Sequence, residues 1–354
     1  MKILVTGGNG FIGRHVVKAL LDDGHRVAIF DRKIKAQPND VSPHIEYVYG
    51  SITDAVAIHD AMSEVDGFVH LAGVLGTQET IKNPAPAIHT NAVGGLNLLE
   101  AAAHYSVPGV NITIGNWWMN NAYSITKNMT ERFVHMYNKE RATRISNVRI
   151  VNTYGPGQSV AAPFGQSSVR KIMPSFICRA LTGRDIEVYG NGGQVSDIVY
   201  VGDVARIISL ELASVMTNGP REYCLEIGSK RPSTVLETAI LVRDIVADLG
   251  LEKVNIKHLP MRPGEQDNAV LSNEGADRLS SAVDALMITE KNSILLSVTA
   301  SSMIRSLRNV VSANLATLDH LDVDIDGLTP PEIGIEHTVK YYLNQKGVVW
   351  DDCR

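Results

Sequence analysis

Lys2-Ile3-Leu4-Val5-Thr6-Gly7-Gly8-Asn9-Gly10-Phe11-Ile12-Gly13 decides how this chain begins to fold. Ile3 to Thr6 reads as a buried strand, and Phe11 to Asp22 has the apolar spacing of an amphipathic helix. The turn between them satisfies both Gly-x-Gly-x-x-Gly and Gly-x-x-Gly-x-x-Gly. Glycine spacing alone is weak evidence, but a strand before it and a helix after it supply the context that the motif needs. Glycines permit the tight turn and let backbone N–H groups approach a pyrophosphate, while the helix N-terminus adds partial positive charge. Gly7, Gly10, Phe11, Ile12 and Gly13 are therefore expected to cradle a dinucleotide.

Arg26 to Phe30 reads as the second strand and leads into Asp31, 18 residues beyond Gly13. A carboxylate there can accept hydrogen bonds from both adenosine ribose hydroxyls and would repel a 2′-phosphate, so the expected cofactor is NAD and not NADP. Strand-like runs continue at Ile45 to Tyr49, Gly67 to Leu71, Val110 to Thr113 and Ser146 to Val151. Helical patterns lie between them at Ala55 to Met62, Ala87 to Tyr105 and Ala122 to Glu140. This alternation predicts an α/β fold, a Rossmann-type doubly wound parallel sheet covered on both faces.

Residues 1–155 are assigned to this NAD-binding unit, with residues 186–210 returning to it. Residues 156–354 are assigned to a smaller C-terminal α/β substrate lobe. Within that lobe Val169 to Leu181 and Val235 to Leu249 read as helices, and Ile186 to Tyr189 and Asp197 to Val201 as strands. The segment 280–326 carries apolar residues at helical spacings mixed with Ser, Asn and Thr, and reads as packing or interface helices.

The bulk numbers fit an ordinary globular enzyme: 354 residues, 44% hydrophobic and 20% charged. A net charge of −5 gives no basic field, so nucleic acid is not an expected partner. Three distant cysteines without a Cys-x-x-Cys pair argue against a disulfide framework or a metal site and suit a reducing cytoplasm. The first apolar run reads as a strand and not as a signal peptide, and no membrane span is expected.

Tyr123 and Lys127 form Tyr-x-x-x-Lys at the start of the helical pattern Ala122 to Glu140, which places both on one face. A free tyrosine, with a pKa near ~10, is a poor base at neutral pH. A nearby ammonium and a positive nicotinamide ring favour the phenolate and make it a usable one. The spacing occurs by chance on many surface helices, but here it follows the fifth strand of the alternating pattern.

With these motifs in place the sequence resembles the extended short-chain dehydrogenases/reductases of the NAD-dependent epimerase/dehydratase group. The resemblance rests on Thr6 to Gly13, Asp31, His70-Leu71-Ala72-Gly73, and Asn91 with Gly94 to Ala101. It continues through Tyr123 and Lys127, Asn152-Thr153-Tyr154-Gly155-Pro156, Val188-Tyr189-Gly190 and Arg262-Pro263-Gly264-Glu265. It implies that Leu71, Ala72, Gly73 and Asn91 belong to the cofactor site, that Asn152 and Arg262 contact a nucleotide diphosphate, and that Tyr189 lies by the substrate. It also implies a nucleotide-sugar substrate, a homodimer built on the two long helices, and transient oxidation of a sugar hydroxyl, usually at C4.

Four departures from the family's pattern bear on the reaction. Only nine residues, 114 to 122, separate Thr113 from Tyr123, which is shorter than usual. Thr113 is the hydroxyl that stands where the family's Ser/Thr is expected; in another alignment Gly115 takes that slot, and Asn116 or Ser124 substitutes. The family's 4,6-dehydratases place Asp-Glu just after that Ser/Thr, whereas this chain has Gly115-Asn116-Trp117-Trp118. The two tryptophans either wall the sugar pocket or anchor the short connection. Ser51, followed by Ile52, replaces the Asp that commonly meets adenine. Ser196 replaces a phosphate-binding Arg, which Arg170 or Lys171 could make good. The reading is an NAD-dependent sugar-nucleotide epimerase acting at C4. The alternatives are a dehydrogenase/reductase or atypical dehydratase of the same family, and a non-catalytic NAD-binding regulator or scaffold.

Overall fold

Seven parallel strands carry the architecture, and their order follows from how the chain winds. β1 (Lys2–Thr6) pairs with β2 (Arg26–Asp31), which pairs with β3 (Ile45–Tyr49). The chain then returns to the other side of β1 and adds β4 (Gly67–His70), β5 (Gly109–Ile114) and β6 (Ile145–Ile150). A late strand, Leu225–Ile227, closes that edge, giving the order Leu225–Ile227, β6, β5, β4, β1, β2, β3. Helices after β-strands cover both faces, as parallel crossovers require. The order reverses beside β1, and the crevice outside the carboxyl ends of the strands at such a point is where a nucleotide site forms. The computed structural model describes residues 1–33, 42–115, 117, 120–222, 224–229, 231, 233–262 and 327–345.

Each face has its own core. On one, Ile3, Val5, Val110 and Val148 pack with α1 (Phe11–Asp22) and the long helix α8 (Val201–Asn218). On the other, Leu4, Phe68 and Ile145 pack with α2 (Ala55–Met62), α5 (Gly94–Tyr105) and α6 (Ala122–Arg141). The two short helices between α2 and α5 are α3 (Thr77–Lys82) and α4 (Ala85–Ala87). A third cluster, with Phe176, Ile177, Val188, Val242 and Val339, joins α7 (Ile172–Leu181), α9 (Val235–Asp248), the strand Ile186–Tyr189 and the helix Pro331–Gln345. Thr234 and Glu237 form a reciprocal capping box that starts α9.

Three readings of the sequence need correction. Ala87 to Tyr105 is not one regular helix: α4 passes into a π-helical stretch, Ile88–Val93, before α5 begins at Gly94. The Gly94-Gly95 pair marks the junction, where added Cβ atoms would meet Ile52 and Thr130 within 3 Å. The helix expected from Val169 starts at Ile172, leaving 169–171 outside it along the cavity wall. Val201–Asn218 was not anticipated as a helix, although Val204, Ile207, Ile208, Leu212 and Val215 carry helical spacing. The segment 280–326 lies outside the described residues.

Candidate active site

The sheet face beneath α6 changes character along the strands. Its N-terminal half is apolar, with Leu4, Phe68 and Ile145. Its C-terminal half is polar: Thr6, His70, Asn111 and Asn147 occupy successive cross-strand positions of β1, β4, β5 and β6. Thr6 Oγ1 accepts from Ala72 N at 3.3 Å and meets His70 Nδ1 at 2.7 Å. Asn111 Nδ2 donates to Asn147 Oδ1 at 2.7 Å. His70 Nε2 and Asn111 Oδ1 are buried with no hydrogen-bond partner among the described residues, and buried polar groups of this density mark where the fold gives up apolar packing for a site.

Above the carboxyl ends of the strands lies a cavity of about 590 Å³. Its first wall is the glycine turn. Gly7 holds φ at 74°, and a Cβ there would lie 2.8 Å from Ala72 N. A Cβ on Gly13 would lie 2.3 Å from Gly7 O, so α1 can pack this close to the turn only without a side chain. Gly10 caps α1 with no side-chain hydrogen bond, which leaves the first helical amides available to an anion. Phe11, Ile12 and Gly13 line the same wall. Asp31 closes this end. Its Oδ2 accepts from Asn9 N at 3.2 Å and its Oδ1 from Lys33 N at 3.1 Å, so the carboxylate is held at the rim.

Ser51, Ile52, Leu71, Ala72 and Gly73 also line the cavity. Ser51 Oγ is engaged with Thr53 Oγ1 at 2.8 Å in a local turn. Asn91 sits differently from its expected place. It lies behind the wall, accepting from Val74 N at 2.7 Å and donating to Val74 O at 2.9 Å and Thr126 Oγ1 at 3.0 Å. It therefore shapes the segment after β4 and is not itself among the described lining residues.

The catalytic candidates Thr113, Tyr123 and Lys127 meet on the opposite wall. α6 is started by Asn121, whose Oδ1 accepts from Ser124 N at 2.9 Å, and this cap sets Tyr123 in the first turn. Thr113 Oγ1 faces Lys127 O at 3.5 Å. Burial pushes the Tyr123 phenol up to about 12. Burial also pulls the Lys127 ammonium down to about 8, against the opposing pull of Glu131. Without a bound cation the phenol is therefore neutral at pH 7, and a nearby positive charge is what the arrangement lacks for ionisation. Ser124, fully buried and also on this wall, has an Oγ with no hydrogen-bond partner.

The far end is cationic. Arg170, Lys171 and Arg262 line it, together with Asn152 and the N-terminus of α7. Burial holds Lys171 below the ordinary lysine range, with Glu79 opposing. Tyr189 stands behind the cations. Its hydroxyl accepts from Arg170 Nη1 at 2.7 Å, and the Arg262 guanidinium carbon lies 4.4 Å from its ring centroid. Arg170 also pairs with Glu187 at 2.8 Å. Sequence reasoning missed the α3 wall, Leu75 to Glu79. α3 has six residues, too few for a periodic signal. Asn116 and Trp118 lie outside the described residues. Trp117 is described and is not among the lining residues; it anchors the connection, with Arg149 4.9 Å from its ring centroid.

A family model described as the NAD dependent epimerase/dehydratase family matches residues 3–225. The chain belongs to that family. The glycine cradle and Asp31 fit the family's cofactor, NAD. Relatives differ in reaction. The chain is 30% identical over 69% of its length to dTDP-glucose 4,6-dehydratase of Mycobacterium tuberculosis, covering 78% of that protein. It is 25% identical over 75% of its length to UDP-glucuronic acid decarboxylase 1 of Danio rerio, and spans 64% of that protein's length. In fold it is similar to the crystal structure of UDP-glucose 4-epimerase of Thermotoga maritima with UDP-glucose, at a TM-score of 0.74 and 23% identity, covering 98% of this chain and 99% of that one. Members of this family thus include sugar-nucleotide epimerases, dehydratases and decarboxylases, and the choice among them falls to the residues of the site.

Proposed function

We propose that the protein is an NAD-dependent sugar-nucleotide epimerase that acts at C4. The observation that carries this reading is a cavity wall bearing Tyr123, Lys127 and Thr113 beside a connection, residues 114–122, that contains no carboxylate. Elimination of water needs an acid and a base near the carbons next to the oxidised one. Among the described lining residues the carboxylates are Asp31, at the adenosine end, and Glu79, whose charge opposes that of Lys171. Epimerisation asks for neither. It needs one group that takes and returns a hydroxyl proton, and a ketone free to turn over.

NAD, when bound, would supply the hydride acceptor and donor and a positive charge beside the phenol. The Lys127 ammonium favours the Tyr123 phenolate in the same sense. Tyr123 Oη removes the C4 hydroxyl proton and later returns it to the re-reduced carbon's oxygen. Thr113 offers a hydroxyl to the same oxygen. Arg262, Lys171 and Arg170, with the α7 N-terminus, hold the diphosphate, and Asn152 supports it; guanidinium forks suit phosphate oxygens. This assignment makes Arg170 and Lys171 the replacement for the arginine missing at 196.

The reading extends to assembly and place. Ile125, Met129 and Met136 form an exposed stripe on α6, at 57%, 38% and 43% exposure, and Ile88 and Val93 lie exposed on the neighbouring stretch at 46% and 42%. Two copies related by a two-fold axis would bury that stripe. Free buried Cys178 and Cys224 suit a cytoplasmic protein, and no helix among the described residues is long and apolar enough to cross a membrane.

Tyr123→Phe tests the catalytic assignment. Turnover of a nucleotide sugar is expected to fall by about 10²–10⁴-fold, the range for loss of a positioned acid–base group, with NAD still bound. Unchanged turnover would remove Tyr123 from the reaction.

A further inference from the structure

Behind Lys127 lies a buried ionic cluster to which the proposed reaction assigns no role. Glu131 follows Lys127 by one turn of α6 and is 3% exposed. Arg149 comes from β6, where it is the cross-strand partner of Thr113. Its Nε donates to Glu131 Oε2 at 3.0 Å, and its Nη2 donates to Glu131 Oε1, a two-pronged pair. Its guanidinium carbon lies 4.9 Å from the Trp117 ring centroid. Trp117 O in turn accepts from Asn128 Nδ2, at 3.5 Å, on the residue after Lys127. One guanidinium therefore joins β6, the strand beside that of Thr113, to the helix of Tyr123 and Lys127 and to the short connection that precedes it.

We propose that Arg149 is the positioning residue of this active site: it pins the shortened connection through Trp117 and neutralises Glu131, so that this buried carboxylate does not oppose ionisation of Tyr123. The proposal rests on the reading of Tyr123 as the acid–base group. Glu131, His135 and Cys224 bring a carboxylate, an imidazole and a thiol within 4.8 Å of one another. A metal is not needed there, because Arg149 already occupies both carboxylate oxygens. If Arg149 is lost, Glu131 becomes a buried carboxylate without its partner, and the cation it acts on next is Lys127. The lost positive charge and the unneutralised carboxylate move the Tyr123 phenol the same way, toward a higher pKa.

Other charged groups around the pair leave that signal readable. His70, from β4, is held well below the ordinary imidazole range by burial and by Lys127, and stays neutral. His135 is lowered and Cys224 raised by burial, while Glu226 faces Arg149 from the edge strand. Across the cavity stand Glu79, Arg170, Lys171 and Arg262.

The test is a phenolate absorbance titration of the NAD-loaded protein, read as the difference from Tyr123→Phe, together with kcat. Arg149→Met is expected to raise the Tyr123 midpoint by about one pH unit, a tenfold loss of phenolate at fixed pH. Arg149→Lys keeps the charge and should keep the midpoint. The double variant E131M/R149M removes both charges, leaves no buried ion unpaired, and guards against a single variant that fails to fold. Its midpoint should return toward the wild-type value, while kcat stays about tenfold low because Trp117 is released, the size of effect that loss of fixed geometry produces. A midpoint that is the same in wild type and Arg149→Met would overturn the charge role, and wild-type kcat in the double variant would overturn the pinning role. The titration needs no substrate, so it judges Arg149 even where product analysis shows a reaction other than epimerisation.

Discussion

At the scale of single residues, the site depends on two side chains that burial drives toward neutrality from opposite directions. Lys127 sits at about 8, below its ordinary 10.5, and Tyr123 at about 12, above its ordinary 10.0. Between pH 8 and 10.5 the unfolded chain binds a proton at Lys127 that the folded one has lost, so folding stability rises with pH across that interval. Tyr123 acts in the opposite sense above pH 10, where the unfolded phenol ionises first. Stability of the cofactor-free protein is therefore expected to climb from about pH 8 to about 10 and to fall once the Lys127 gain is complete near pH 10.5. Urea midpoints across this range check it, and Lys127→Met should abolish the rise. Tyr123 and Lys127 were legible in the sequence, because four residues on a helix fix a shared face. Asn91 was legible as part of the site but not in its role: which way a side-chain amide turns is decided by Val74 and Thr126, which are distant in sequence.

At the scale of elements, the β1–α1 turn carries the most stringent constraint. Gly13 has the carbonyl of Gly7 against it, and backbone cannot step aside as a flexible side chain can. Gly13→Ala is expected to cost about 1–3 kcal/mol, the usual range for overpacking, and to weaken NAD binding more than tenfold by lifting α1 away from the turn. Thermal melting and NAD titration check both parts; wild-type affinity in this variant would contradict the cradle. Most strand limits through β6 followed from the sequence pattern, since the strands are short, mainly apolar runs between turn residues. The breaks did not. After the π-helical stretch Gly94 and Gly95 pack against Ile52 and Thr130, and residues 169–171 line the cavity ahead of α7. Neither contact leaves a local signal.

At the scale of the whole molecule, the sheet supplies the dinucleotide end of the cavity and the segments after residue 155 supply its cationic end. The glycine turn, Asp31 and the Tyr-x-x-x-Lys pair were readable because each is local. The α3 wall was not, because it joins the site from a separate segment; Arg170, Lys171 and Arg262 were phosphate candidates in the sequence, and the fold brings them to one cavity from segments about 90 residues apart. The exposed stripe of α6 predicts a dimer in sedimentation, and Met129→Lys with Met136→Lys should shift it to monomer; wild-type protein sedimenting as a monomer would refute that assembly.

The central claim is that Tyr123 passes a proton out and back while the sugar keeps all its atoms. Purified protein should be incubated with UDP-, GDP- and dTDP-hexoses, and the products followed by NMR and mass spectrometry alongside NADH absorbance. The account predicts a C4 epimer of unchanged mass from at least one of them, with no accumulation of NADH. A product lighter by water or carbon dioxide, or NADH released in step with substrate consumed, would contradict it.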